Sequence, residues 1–295
     1  MRPTGPHFGC HQVRAAVSVT GWMPTAMHKP TRKNNNSRPQ QLKAWMRGDQ
    51  LPLWPEEIRC APNEFLRSAL FNARNRNQKR RYLRQETLAI IGKGRITYTG
   101  EELRQDDATV WLQLIQMASD TTLGAPVEFT PYSFCKAVGW TPSGETYAHL
   151  RKCLTRLQAT ALAFYAERTK HTISLSMIPA FCWQDESTGK PLPRYQVKLA
   201  PELAALFHGQ HFTYLHWAQR RQLPEGLSTW LHGYLASHKQ PHPLALEEIR
   251  RAADLTISRP DNLRKVVVYA LNALLEAGFL VSWQINGNRV AVVRR

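Results

Sequence analysis

"PDNLRKVVVYALNALLEAGFLVSWQINGNRVAVV" runs from Pro260 to Val293. Pro260 suits a first helical turn, because its missing N–H has no partner to lose there. Leu263, Val267, Ala270, Leu271 and Leu274 then recur on one face, which predicts a helix to about Ala277. Two strands follow, folded around Asn286-Gly287, the strongest short hairpin signal, whose central residues need positive φ. Upstream, Leu227–His238 carries Leu227, Trp230, Leu231, Tyr234 and Leu235 at helical spacing, and Leu244–Ala253 reads as another helix. Three helices ending in a hairpin are the plan of a winged helix.

The same plan is legible earlier in the chain. Arg95–Gly100 alternates like a strand. Thr99 and Glu102 read as a capping box that opens a helix to about Ala118, with Leu103, Trp111, Leu114, Ile115 and Ala118 near one face. A short strand, Pro126–Thr130, precedes a helix with Phe134 and Val138 that stops near Gly139. After the turn Thr141–Gly144, a helix is expected from about Glu145 to Gln158. Strands follow at Thr160–Glu167, His171–Ile178 and Tyr195–Ala200. The expected fold class is α+β: two tandem winged-helix domains after a disordered basic N-terminal tail. The expected boundaries are a tail over 1–48, a short linear motif and linker over 49–62, a first domain over 63–212 for dimerisation and DNA contact, and a second over 213–295 for the main sequence-specific DNA binding.

The charge points to a polyanion. Thirty-nine Lys and Arg face 22 Asp and Glu, a net +17. Residues 1–50 hold eight basic residues against Asp49, and Lys29–Pro39 is polar and low in complexity, so the tail is expected to be disordered. Asn272 and Glu276 interrupt the longest apolar stretch, Val266–Trp283, so no membrane span is expected. His7, His11, Arg14 and the prolines spoil a signal peptide. Five scattered cysteines suit reduced thiols, and the expected location is cytoplasmic. Gly92-Lys93-Gly94 and Gly189-Lys190-Pro191 lack the spacing and hydroxyl of a phosphate loop. His208-Gly209-Gln210-His211 does not match the His pair of nicking enzymes, and no Cys/His pair has zinc-finger spacing. No enzyme activity, metal or cofactor is expected.

The candidate DNA-binding residues lie on two helices and one hairpin. In the first module His149, Lys152 and Arg156 share an expected exposed stripe, with Thr146, Arg151 and Thr155 nearby. In the second, Asn262, Lys265, Tyr269 and Asn272 share the outer stripe, with Arg259 and Arg264 at the N-terminal end and Asn288 and Arg289 on the hairpin. Arg and Asn bond base edges bidentately, whereas Lys mostly holds phosphate. The stretch Arg74–Arg84 is either a solvated linker or a phosphate-contacting arm.

"NEFLRSALFNARN" (Asn63–Asn75), "ITYTGEELRQDD" (Ile96–Asp107) and "CLTRLQATALAF" (Cys153–Phe164) closely resemble the TrfA family of plasmid replication initiators. The resemblance runs from about Trp54 to Arg295 and leaves the N-terminal forty-odd residues unmatched. It implies two winged-helix domains that bind double-stranded direct repeats, or iterons, at a plasmid origin. It also implies opening of an adjacent A·T-rich element as single-stranded DNA. The implied partners are the host sliding clamp, replicative helicase and chromosomal initiator, and a homodimer in equilibrium with initiating monomers. The other class of function in play is a winged-helix transcriptional regulator on an operator. The family carries a Gln-Leu-x-Leu-Phe clamp peptide, which Gln50-Leu51-Pro52-Leu53-Trp54 matches with Trp for Phe; Gln50, Leu51, Leu53 and Trp54 would then bind the clamp. Two alternatives stay open: Gln41-Leu42-Lys43-Ala44-Trp45 as the peptide, and 50–54 as an apolar staple onto the first domain.

Overall fold

The computed structural model describes residues 50–165, 172–207 and 211–295. The expected disordered tail and the alternative peptide at 41–45 lie outside the described residues. Just after the first described residue the chain enters the core. Leu51 is 2% exposed and Trp54 8%. The Trp54 indole lies against Phe207, with ring centroids 6.1 Å apart, and its Nε1–H donates to Gln116 Oε1. Of the segment's three large apolar residues, Leu53, 68% exposed, is the one that faces solvent. The geometry is that of a staple.

Strand β1 (Ile58–Pro62), read from sequence as linker, is a core strand. Helix α1 (Asn63–Leu66) and β2 (Phe71–Asn72) follow, then β3 (Tyr82–Thr87), β4 (Arg95–Glu101) and β5 (Leu103–Arg104). The next element, α2 (Gln105–Ala118), is buried on nearly every side, not along one stripe. It is the axle of the first core. Its start corrects the expected capping box. Thr99 lies in β4 and accepts from the Gln85 N–H, and the residue that reaches back to the cap is Asp107, whose Oδ2 accepts from the Arg104 N–H at 2.9 Å.

Strand β6 (Pro126–Phe129) leads to α3 (Pro131–Val138), capped by Thr130 Oγ1, which accepts from the Ser133 N–H. It stops at Gly139, whose φ of 81° a side chain would resist. Ser143 caps α4 (Gly144–Gln158). Then come β7 (Ala161–Tyr165), β8 (Thr172–Leu175), β9 (Ala180–Asp185), β10 (Lys190–Lys198), a 3₁₀ turn Pro201–Phe207 and β11 (Phe212–His216). The sheets run β3-β4-β7-β8 and β6-β10-β9, and β1 pairs antiparallel with β11 from Ile58↔His216 to Pro62↔Phe212. The expected boundary at 212/213 therefore falls within a strand of the first core. Leu215 and Trp217 pack there, and a second core begins at Leu223.

Helix α5 (Trp217–Gln222), anchored in the first core by Trp217, leads to the second core, which gathers α6 (Leu227–Ala236), β12 (Leu244–Ala245), α7 (Leu246–Ala252), α8 (Pro260–Glu276), β13 (Leu280–Asn286) and β14 (Arg289–Arg294), with sheet order β12-β14-β13. The five expected apolar residues of α8 are all buried. The hairpin closes one residue later than expected. Asn286 pairs with Arg289, so Gly287 and Asn288 form the loop, and Gly287 takes the positive φ of 60°. Glycine at the first loop position is the pattern of the mirror-image hairpin turns.

The two cores meet closely. Leu66 leaves no room for a side chain at Gly233: an added Cβ would sit 2.9 Å from its Cδ2. Trp230 Nε1–H donates to Ser68 O at 3.1 Å, and Arg220 donates both to Thr229 O and to Gln105 Oε1. His232, beside this seam, is fully buried against Phe279. Burial first, and the Arg220 charge second, depress its pKa to about 3.

Two expectations follow. Trp54→Ala should cost on the order of 3 kcal/mol or more in denaturant unfolding, whereas Leu53→Ala should cost about 0.5 kcal/mol or less. Equal, small effects would show the segment unseated. His232 is neutral when folded and binds a proton near pH 6.5 when unfolded, so stability is present above pH 6.5 and lost as pH falls from there toward 3. The one-proton slope is about 1.4 kcal/mol per pH unit. Unfolding curves of His232→Phe between pH 4 and 7 should lack that slope.

Candidate nucleic-acid interface

Helix α8 presents its outer face to solvent. Arg259, Asn262, Arg264 and Lys265 are exposed on its first turns, and Tyr269, 64% exposed, stands one turn further on. The expected outer stripe is thus exposed along its length, Asn272 included. Asn272, further along, is occupied: its Oδ1 accepts from Trp283 Nε1–H at 3.1 Å. Two arginines brace the hairpin. Arg264 Nη1 donates to Gly287 O at 2.9 Å and Arg289 Nη1 to Pro243 O at 3.2 Å. The first bond holds the hairpin tip, with exposed Asn288 and Arg289, beside the start of α8.

Helix α4 differs. Of its expected stripe only Lys152 is exposed. Thr146, whose N–H the Ser143 cap receives, donates its hydroxyl to Thr141 O at 2.8 Å. Arg151 donates to Tyr195 Oη and lies over the Trp183 ring, 5.1 Å from its centroid. His149 packs on Trp140. Arg156, 10% exposed at its side chain, donates from Nε to Asp107 Oδ1 at 2.9 Å and lies 3.4 Å from Asp106 Oδ2. The exposed stripe is corrected accordingly: a helix surface contact is lost wherever a neighbouring element supplies a counter-charge, and α2 supplies two.

Those carboxylates belong to a network that the sequence reading missed. Arg80 reaches Asp106 at 2.6 Å and Asp107 at 2.7 Å. Buried Glu102 takes Arg81 at 3.0 Å and Arg104, with Arg74 at 3.8 Å. Arg74 and Arg81 also reach Asp254, across the seam. Arg74, Arg80 and Arg81 of the Arg74–Arg84 stretch are therefore ion-pairing struts running into β3, while Arg76, Lys79 and Arg84 are exposed. Burial, with the Asp106 charge behind it, raises Asp107 to about 6, while Arg80 and Arg156 outweigh burial at Asp106 and hold it low.

A cleft of about 940 Å³ separates α4 from α8. His149 and Arg156 line one side, Val266 and Tyr269 the other, with Arg76 and Gln78 between. No helix among the described residues is long and apolar enough to cross a membrane.

Removing Arg156 leaves buried Asp107 with one guanidinium instead of two. Arg156→Ala should therefore destabilise the fold by about 3 kcal/mol or more, and Lys152→Ala by about 0.5 or less. Paired thermal and denaturant melts check this; equal losses would contradict the assignment.

Comparison with known proteins gives a consistent family. The chain is 36% identical over 239 residues to the plasmid replication initiator protein TrfA of Escherichia coli, covering 80% of this chain and 62% of that protein. It is 28% identical over 93 residues to a putative replication protein of Wigglesworthia glossinidia brevipalpis, 28% of this chain and 34% of that one. The chain thus spans about 62% of the length of the first of these relatives. In fold it is similar to the crystal structure of domains 2 and 3 of RctB, with a TM-score of 0.52 at 13% identity, covering 79% of this chain and 96% of that one. The TrfA protein family model matches residues 24–294, and the chain belongs to that family.

Proposed function

We propose that this chain is a plasmid replication initiator that binds iterons in double-stranded origin DNA through two winged-helix domains. The observation that carries the reading is the outer face of α8. Asn262, Lys265 and Tyr269 are exposed together just after Pro260, with the Asn288-Arg289 tip fastened beside them by Arg264. A helix entering the major groove leads with its N-terminal residues, and a neighbouring hairpin then meets the backbone or minor groove. Asn262 is placed to read a base edge; Lys265, Arg259 and Arg289 suit phosphates. The second domain is then the principal reader. The first contributes Lys152 and a surface for dimerisation, in equilibrium with monomers.

The role is one of binding and assembly, not catalysis: opening of an A·T-rich element, then recruitment of helicase, chromosomal initiator and sliding clamp. Clamp engagement by Gln50, Leu51, Leu53 and Trp54 requires the segment to leave its seat, since Leu51 and Trp54 are buried as it stands. Replication in the cytoplasm of the host follows from the same reading.

Titration of a duplex carrying the origin repeats tests it. Lys265→Ala should weaken binding to all sequences and lower the slope of log K against log salt by about 1. Asn262→Ala should cost about 1–3 kcal/mol on the repeat and little on unrelated DNA. Wild-type affinity and salt slope in both variants would remove α8 as the reader.

A further inference from the structure

We infer that Asp106, His149 and Cys153 form a site for one divalent transition-metal ion with the chemistry of zinc. His149 and Cys153 lie four residues apart on one face of α4, and Asp106 meets them from the first turn of α2. The donor atoms already stand close. Asp106 Oδ2 is 3.5 Å from His149 Nε2 and 3.9 Å from Cys153 Sγ, and the imidazole nitrogen is 3.8 Å from the sulfur. Zinc bonds of about 2.0–2.3 Å at tetrahedral angles set donor separations of about 3.3–3.6 Å. The triangle is a few tenths of an ångström wider than the face of a zinc tetrahedron. A small turn of the half-exposed His149 ring together with a small rotation of the Asp106 and Cys153 side chains closes it.

The donor set is one oxygen, one nitrogen and one sulfur, which favours a borderline-soft ion over magnesium or calcium. The surroundings supply an outer shell. Arg80 holds both Asp106 oxygens, Oδ1 at 2.8 Å and Oδ2 at 2.6 Å, and so orients the carboxylate. Arg156 Nη2 lies 3.2 Å from Cys153 Sγ, placed to donate to a thiolate. On binding, the thiol proton passes to solvent and the ion takes its place on sulfur. The thiolate and Asp106 meet the ion's charge, Arg80 and Arg156 then share Asp107, and the cluster gains one net positive charge, which faces the open cleft. Asp106 and His149 line the cleft, so the fourth position opens toward it, where water completes the tetrahedron.

Sequence spacing hid this set. His149 and Cys153 match no zinc-finger spacing, and their third ligand lies 43 residues upstream of His149 and on another helix. Metal binding would pin the start of α2 to α4 at the edge of the cleft between α4 and α8. It does not depend on the proposed function.

Cobalt(II) titration of the full chain, freed of metal under reducing conditions, tests the site. We expect one cobalt per chain with tetrahedral visible bands and a thiolate-to-cobalt charge-transfer band in the near ultraviolet, both removed by added zinc. Cys153→Ser should lose the charge-transfer band. His149→Gln, a change at a half-exposed ring that leaves the metal-free melting temperature unaltered, should weaken binding at least about tenfold. A charge-transfer band absent from the wild type, or retained at full affinity in both variants, would overturn the assignment, the second by placing the metal on other residues.

Discussion

The fold depends on how α2 carries its charge into the core. Asp107 and Glu102 have no exposed side-chain surface, and Asp106 is nearly as deep. A buried carboxylate without partners costs several kcal/mol, so arginines must reach each one. Arg80 and Arg156 meet the aspartates, and Arg74, Arg81 and Arg104 surround Glu102. These arginines come from three separate parts of the chain. The requirement to neutralise three acids thus fixes β3, the start of α2 and the far end of α4 against one another. Arg74 and Arg81 extend the same network to Asp254, which stands at a positive φ of 52° between α7 and α8. The acid at the start of the second core's main helix region is thereby held from the first core.

This arrangement divides the basic residues of a +17 chain into two populations. Among the described residues, one group is spent inward, on Glu102, Asp106 and Asp107. The other remains outside, on the first turns of α8 and at the hairpin tip, where Arg264 fastens helix to hairpin. The inward group is not available to a polyanion, whereas the residues at α8 and the hairpin tip are. That division leaves α4 a smaller share of the proposed interface than its sequence suggests.

What was legible in the sequence follows from how far the deciding interactions reach. Helix α8 was readable because its buried residues obey a one-sided period and its outer side faces only water. Helix α2 was not, because it is enclosed all round, and its stripe of Trp111, Leu114 and Ile115 describes just one of its packed sides. The Thr99–Glu102 pattern matched a capping box locally, yet Glu102 answers to Arg81 and Arg104. Arg156 reads as surface in any helical projection; its partners sit 49 and 50 residues away. The letters of Gln50–Trp54 suit a peptide for a foreign pocket as well as a staple. Phe207 and Gln116, distant in sequence, decide where Trp54 rests.

The central claim is that α8 and its hairpin deliver the chain to repeated sites on an origin. A nuclease footprint of the purified protein on DNA flanking its own gene tests this most directly. The account predicts several protected sites repeating at about two helical turns, on one face of the duplex, next to an A·T-rich stretch. A single protected palindrome, or protection without sequence preference, would contradict it.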